Sequence, residues 1–340
     1  MKSMAPRLVS ADDLEALLTN LGESSSCPEQ GIFVPGSVSW KVNRESALFL
    51  AATRAALLQL AHPWVASAIA QHSKTFHDPI SRFHRTFRVM FTVSFGSMEQ
   101  ALGAARQLHR MHQSIRGAVP ESVGRFVAGS SYEANEVAAL RWVYATLIDS
   151  SVLAYDLVLT PLTEVEREQY YRESRTAASL FGVPYEYWPP DWTGFQTYMH
   201  STLASDMLGV SASTRQMGHD LQRGAGLMLR PPFWYRALNV EILPPRFREE
   251  FQFTYRDREQ QSAKRALRWI RRFYHRLPPA IRFVGPYNEA LSRQQGKRPS
   301  LTTRFSNRIW VGQPELLTSQ PPGNLRREPA PASSRKVAES

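Results

Sequence analysis

The sequence predicts an all-α protein: a single large, multi-helix, bundle-like domain followed by a disordered C-terminal tail. Apolar residues recur at three- and four-residue spacing in one segment after another, the period of a helix with one buried face. Gly, Pro, Asp-Pro and Ser punctuation separates these segments. No alternating apolar–polar run competes as a strand, and no internal repeat is present.

Residues 1–34 read as an irregular lead-in with one short helix near Ala11–Leu21, and Pro35-Gly36-Ser37 opens a main domain over 35–290. A first helix is expected over about Arg44–Ala61; His62-Pro63 breaks it, and a second runs to about Lys74. Asp78-Pro79 opens a third, with Asp as N-cap and Pro at the first helical position. Phe95-Gly96-Ser97 ends it, and Ser97 with Gln100 has the spacing of a capping box for a fourth. A fifth is expected over Tyr132–Tyr155 and a sixth over Thr163–Phe181. Trp188-Pro189-Pro190-Asp191-Trp192 forms a rigid turn before a seventh, Trp192–Leu208. Further helices are expected at 213–229, 232–241 and 256–276. Residues 291–340, dominated by Pro, Ser, Arg and Gln from Gly312 onward, form the expected tail.

With 43% hydrophobic residues, 8 Trp, 12 Tyr and 17 Phe, the chain can fill a sizeable core. Cys27 is the only cysteine, which excludes an internal disulfide and any Cys-based zinc or iron–sulfur centre. The N-terminus lacks the apolar core of a secretory signal, and no run approaches the ~20 apolar residues of a spanning helix. A cytoplasmic, non-spanning protein is therefore expected. The net charge of +11 is unevenly placed: residues 1–245 carry 21 basic and 22 acidic groups, residues 246–340 carry 20 and 8. Much of this excess lies on the helix at 256–276, where Ala263, Ala266, Leu267, Ile270, Phe273 and Leu277 share one face. Lys264, Arg265, Arg268, Arg271, Arg272 and Arg276 fill the remainder. Two readings of this basic amphipathic helix stay open: a docked helix with a solvated face, or contact with an anionic membrane. Nucleic-acid binding has no reading module to support it.

Two helices carry chemistry. On the fourth, Ala101, Ala104, Ala105, Leu108, Met111, His112 and Ile115 form an apolar stripe with His112 near its middle and His109 at its edge. A histidine inside a buried face either hydrogen-bonds or binds something. On the third, Ile80, Phe83, Phe87, Met90 and Phe91 make one apolar face; Arg82, Thr86, Val89 and Val93 make a second. A helix apolar on two sides is expected to be buried, which turns Arg82 inward. Its anion is then a distant carboxylate such as Asp149 or Glu45, or a bound group. His62 reads as a helix-end residue bonding backbone carbonyls, and His72 as a surface or pocket residue. There is no H-E-x-x-H, G-x-S-x-G, P-loop, dinucleotide fingerprint or E-x-x-H pair.

Several stretches resemble one known family in order: residues 35–45 (PGSVSWKVNRE), 54–63 (RAALLQLAHP), 82–86 (RFHRT), 111–117 (MHQSIRG), 142–150 (WVYATLIDS) and Tyr170-Tyr171. Together they resemble the latex-clearing (rubber oxygenase) and MpaB-like oxygenases. The resemblance implies an all-helical fold around a buried b-type haem and dioxygen-dependent cleavage of carbon–carbon double bonds. It places the axial iron ligand on His112, with His109 as runner-up, and the distal arginine and threonine on Arg82 and Thr86. Arg85 stands where the rubber-cleaving relatives have Lys, Gln71 where relatives often have an acid, and Tyr144 where many have His. The implied partners are dioxygen, an apolar unsaturated substrate such as an isoprenoid or lipid, and an unnamed reductant. A non-catalytic haem or hydrophobic-ligand binder on the same fold, and a helical interaction protein without a cofactor, are the competing readings.

Overall fold

The computed structural model describes residues 7–23, 31–72, 79–224 and 230–316; at positions 79, 80 and 82 it describes the backbone alone. Sixteen α-helices and one two-stranded ribbon occur among these residues. In chain order the helices are α1 (Ala11–Glu23), α2 (Val38–Asn43), α3 (Ala52–Leu60), α4 (Pro63–His72), α5 (Pro79–Phe95), α6 (Met98–Gln113), α7 (Val137–Val158) and α8 (Glu164–Ala178). They continue with α9 (Trp192–Ala204), α10 (Ala212–Gln222), α11 (Phe233–Glu241), α12 (Pro245–Glu250), α13 (Asp257–Phe273), α14 (Pro279–Arg282), α15 (Gly285–Gln294) and α16 (Leu301–Val311). The all-α expectation holds. The ribbon pairs β1 (Arg116–Ala118) with β2 (Ser131–Glu133) antiparallel, and no sequence pattern had announced it.

Local chemistry explains the helix ends. Ser97 and Gln100 form the expected capping box on α6, and Thr163 with Glu166 forms another on α8. The Asp191 carboxylate caps α9 by accepting from the Gly194 N–H. Residues 46–51 begin the expected first helix as a 3₁₀ turn, which passes directly into α3. The expected fifth helix starts later, because residues 131–133 are spent on the ribbon.

α7 runs through the core. Trp142, Ala145 and Ala154 on it are fully buried, and the Trp142 indole donates to the Leu58 carbonyl of α3 at 3.0 Å. This helix is long and apolar enough to cross a membrane, contrary to the expectation of no such run, yet 61% of its apolar window is buried inside the protein. It is a core helix by that measure.

The C-terminal part departs most from expectation. Residues 291–316 are not an irregular tail: the end of α15, all of α16 and the following turn are ordered and packed, while residues 317–340 lie outside the described residues. α16 buries Thr303, Asn307 and Val311 and leaves the spaced apolar residues Leu301, Phe305 and Ile309 exposed, so its packed face is largely polar in sequence. Trp310 lies 4.1 Å from Phe49, His84 donates to the Ile309 carbonyl and Arg88 to that of Val311. Gly312 then turns the chain in the left-handed region (φ 73°), and a Cβ there would meet the His84 ring at 2.5 Å.

Two buried ion pairs tie these elements together. The Glu45 carboxylate, 1% exposed, accepts two bonds from the Arg282 guanidinium at 2.8 and 2.9 Å and one from the Tyr274 hydroxyl at 3.1 Å. Beside it, the Val284 N–H donates to the Arg44 carbonyl. Arg54 on α3 pairs with Asp149 on α7 at 2.7 Å and donates to Ser150 and to the Ile242 carbonyl. Both carboxylates proposed as partners for Arg82 are thus engaged elsewhere.

His62 is fully enclosed between Trp64 and Phe126, and its Nδ1 has no hydrogen-bond partner among the described residues. It does not bond backbone carbonyls through that atom as expected. Burial, with Arg125 nearby, pushes its pKa down to about 3.

Two outcomes are expected. Arg282→Ala leaves Glu45 buried without its main counter-ion and should cost about 3 kcal/mol in a urea melt. A loss below about 0.5 kcal/mol, the range of an ordinary surface change, would show the pair to be dispensable. The second concerns pH. Because folded His62 titrates near 3 and the unfolded residue near its ordinary 6.5, the unfolded chain binds more protons between those values. Stability should therefore fall as pH drops from about 6.5 towards 3, by on the order of 1–3 kcal/mol from this residue. His62→Phe should flatten that slope in denaturant melts taken across the range; an unchanged slope would remove His62 as the cause.

Candidate functional site

α6 ends in the region that the sequence marks for chemistry. Its fully buried residues are Met98, Ala101, Ala104, Ala105 and His109, so the centre of the stripe passes through 101, 105 and 109. His109, not His112, occupies the middle. The face is rotated from the expected one because α6 packs against α1 and the 3₁₀ turn at 179–181 as well as α5, and near its end Met111 is 52% exposed.

The two histidines have different surroundings. His109 is buried, and its Nε2–H donates to the Val9 carbonyl at 2.9 Å, pinning the segment before α1. His112 is half-buried. Burial pushes its pKa down to about 4; His109 adds to this, while the Asn135 side chain, a hydrogen-bonding neighbour of the ring, opposes it. The Asn135 Nδ2 donates to the His109 carbonyl at 3.3 Å, and its backbone carbonyl accepts from the Val9 N–H. One buried asparagine therefore ties the end of α6 to the incoming chain, and burial leaves His112 a neutral imidazole with a lone pair that can meet a ligand.

The ribbon next to this helix end is clamped from α4. Gln71 donates to the Ala118 carbonyl and accepts from the Tyr132 hydroxyl, both at 2.8 Å. His72 donates to the Arg116 carbonyl at 3.0 Å. Gly117 completes the fit: a Cβ there would meet the Gln71 Oε1 at 2.4 Å and the Tyr132 hydroxyl at 2.8 Å. Gln71 uses its amide as donor and acceptor at once, which an ionised carboxylate cannot do.

α5 carries an aromatic ladder. Phe83, Phe87, Phe91 and Phe95 follow one another at 4.5, 6.0 and 6.1 Å between ring centres, with Phe49 against the first three. Phe91 and Phe95 are buried, whereas Phe83 and Phe87 are half-buried. The expectation of a helix buried throughout holds only for its second half. In the first half Arg85 and Thr86 are exposed, and the Arg82 side chain lies outside the described residues. No hydrogen bond, ion pair or ring contact among the described residues joins Arg85 or Thr86 to His112. Tyr144 stands apart, packed against Phe181 and Trp188, with burial holding its hydroxyl well above the ordinary range.

Among the described residues, no three His, Cys, Asp or Glu side chains gather where they could hold a metal ion. The half-buried His112 imidazole is of the donor type that can hold the iron of a haem. Sequence reasoning found both histidines and missed Asn135. Its only signal is a polar pair, Asn135-Glu136, just before the longest apolar helix, with the Glu136 carboxylate capping α7 through the Ala139 N–H at 2.7 Å.

The segment from α2 to α13 contains all of these groups except Val9. A family model described as ER-bound oxygenase mpaB/B'/Rubber oxygenase, catalytic domain, matches residues 40–272. No curated protein matches the chain, and no solved structure does. The match covers more than half of the chain and both site helices, and the chain belongs to the mpaB/rubber oxygenase catalytic-domain family.

Proposed function

We propose that this oxygenase-family protein is a haem-b enzyme in which His112 is the axial iron ligand and an apolar, unsaturated molecule such as an isoprenoid or lipid is the substrate. The observation that carries the reading is the difference between the two histidines: His109 is committed to the Val9 carbonyl, while His112 is half-buried and kept neutral by burial. Haem, when bound, supplies dioxygen binding and activation. The remaining chemistry falls to the chain. The half-exposed Phe83 and Phe87 offer an apolar wall that excludes water, and the family resemblance assigns Arg82 and Thr86 as the hydrogen-bond donors. Arg85 cannot shed its proton to ligate iron. Cleaving one double bond with one dioxygen yields two carbonyl groups, so the reaction balances without net electrons, and a cellular donor serves only to keep the iron reduced. An apolar substrate of this kind partitions into membranes, and peripheral contact with an anionic bilayer belongs to the same reading.

Purified protein reconstituted with haem should show a Soret band. His112→Ala should lose it, whereas His109→Ala should keep it and lose about 1 kcal/mol of stability with the Val9 bond. Asn135→Ala should weaken haem retention by about 10–100-fold, with partial rescue by Asn135→Asp. Arg82→Ala should keep some haem and lose turnover, and Thr86→Ala should have the milder effect. Absence of a Soret band in the parent protein, or normal haem content in His112→Ala, would overturn the assignment. Haem retention without oxygen consumption on any alkene would favour a haem-binding role without catalysis.

A further inference from the structure

α13 has two faces, and they divide differently from the sequence expectation. Ala263, Leu267 and Ile270 face inward, packing with Leu50, Leu238 and Leu157, and Tyr274 follows them into the core. Trp269, 64% exposed, and Phe273, 37% exposed, stay outside. Their rings stack at 5.0 Å with 18° between planes. Trp234 on α11 is also exposed, and with Phe233, Arg258, Arg265 and Trp269 it borders an open groove of about 560 Å³.

Cations surround these rings. Arg258 lies over the Phe233 ring at 4.7 Å, and Arg272 and Arg276 flank Phe273 at 5.9 and 5.8 Å. Lys264, Arg265 and Arg268 are exposed on the same helix. None of these six side chains forms an ion pair among the described residues.

We propose that this aromatic and cationic face of α13 and α11 is the surface on which the protein docks to an anionic phospholipid bilayer. Indole and phenyl rings ringed by arginines match the interfacial zone of a membrane, where rings enter the headgroup boundary and cations meet lipid phosphates. A second copy of the chain would set the same cations against each other in a two-fold contact. Residues 317–340 are themselves more basic than acidic, so charge does not favour them as the occupant. The surface rests on the functional reading above only for its purpose, since docking needs no haem.

The full-length protein, with and without haem, is mixed with vesicles of pure phosphatidylcholine and of phosphatidylcholine containing phosphatidylglycerol. It should sediment with the mixed vesicles at low salt and be released at high salt. Brominated lipid should quench tryptophan emission, and Trp269→Phe should remove most of that quenching while binding persists. Changing Arg268, Arg272 and Arg276 together to Gln should cut partitioning about a hundredfold. Trp269→Ala with Phe273→Ala should cut it about tenfold. All these side chains are exposed, so the variants should melt like the parent. His112→Ala should bind vesicles normally, which separates failure of the haem reading from failure of this one. The proposal is overturned if the parent ignores mixed vesicles at low salt, binds both vesicle types equally, or binds undiminished in both multiple variants. Binding to a single-stranded oligonucleotide in place of vesicles would overturn it in favour of nucleic acid.

Discussion

A carboxylate as enclosed as Glu45 must be answered within the fold, and the answer organises much of the chain. Leaving it ionised and unpaired would cost several kcal/mol. Arg282 and Tyr274 supply the compensation, and both come from the far end of the sequence. Meeting this requirement brings the segment after α13 back onto the start of the catalytic helices, where Val284 also bonds the Arg44 backbone. α15 and α16 are then placed to pack on α5. The position of the site helix thus depends on an ion pair that contributes nothing to chemistry.

Asn135 has a comparable role on a smaller scale. A histidine on a helix end has no preferred tautomer of its own, and two histidines one turn apart could exchange roles. The Val9 carbonyl settles His109, whose own carbonyl accepts from Asn135. Burial keeps His112 neutral through the physiological range, the protonation state that ligation requires. Gln71 shows the reverse case. Its amide holds the ribbon by donating to the Ala118 carbonyl and accepting from the Tyr132 hydroxyl together, which an ionised carboxylate could not do.

Much of the architecture could be read from residues alone, because helix ends and periodic stripes are local. Ser97 with Gln100, Thr163 with Glu166, and Asp191 mark their helices through bonds made within a few positions. The rest depends on distant partners. His109 and His112 differ by only a small rotation of α6, and packing on α1 decides it. The ribbon at 116–118 and 131–133 exists because Gln71 and His72 bond it from another helix. α16 hides its packed face because Thr303 and Asn307 are buried there, while Leu301, Phe305 and Ile309 stay exposed. Trp269 escaped notice because a basic helix advertises its charges, and only the three-dimensional packing shows which aromatic residues remain outside.

The covering of α5 by α16 also sets an order of events during synthesis. Phe83 and Phe87 emerge well before the helix bearing Trp310. At ordinary translation rates the interval is on the order of ten seconds or more. Throughout it the nascent chain presents an aromatic face whose permanent cover does not yet exist. A growing chain in that condition is a natural client for holding chaperones.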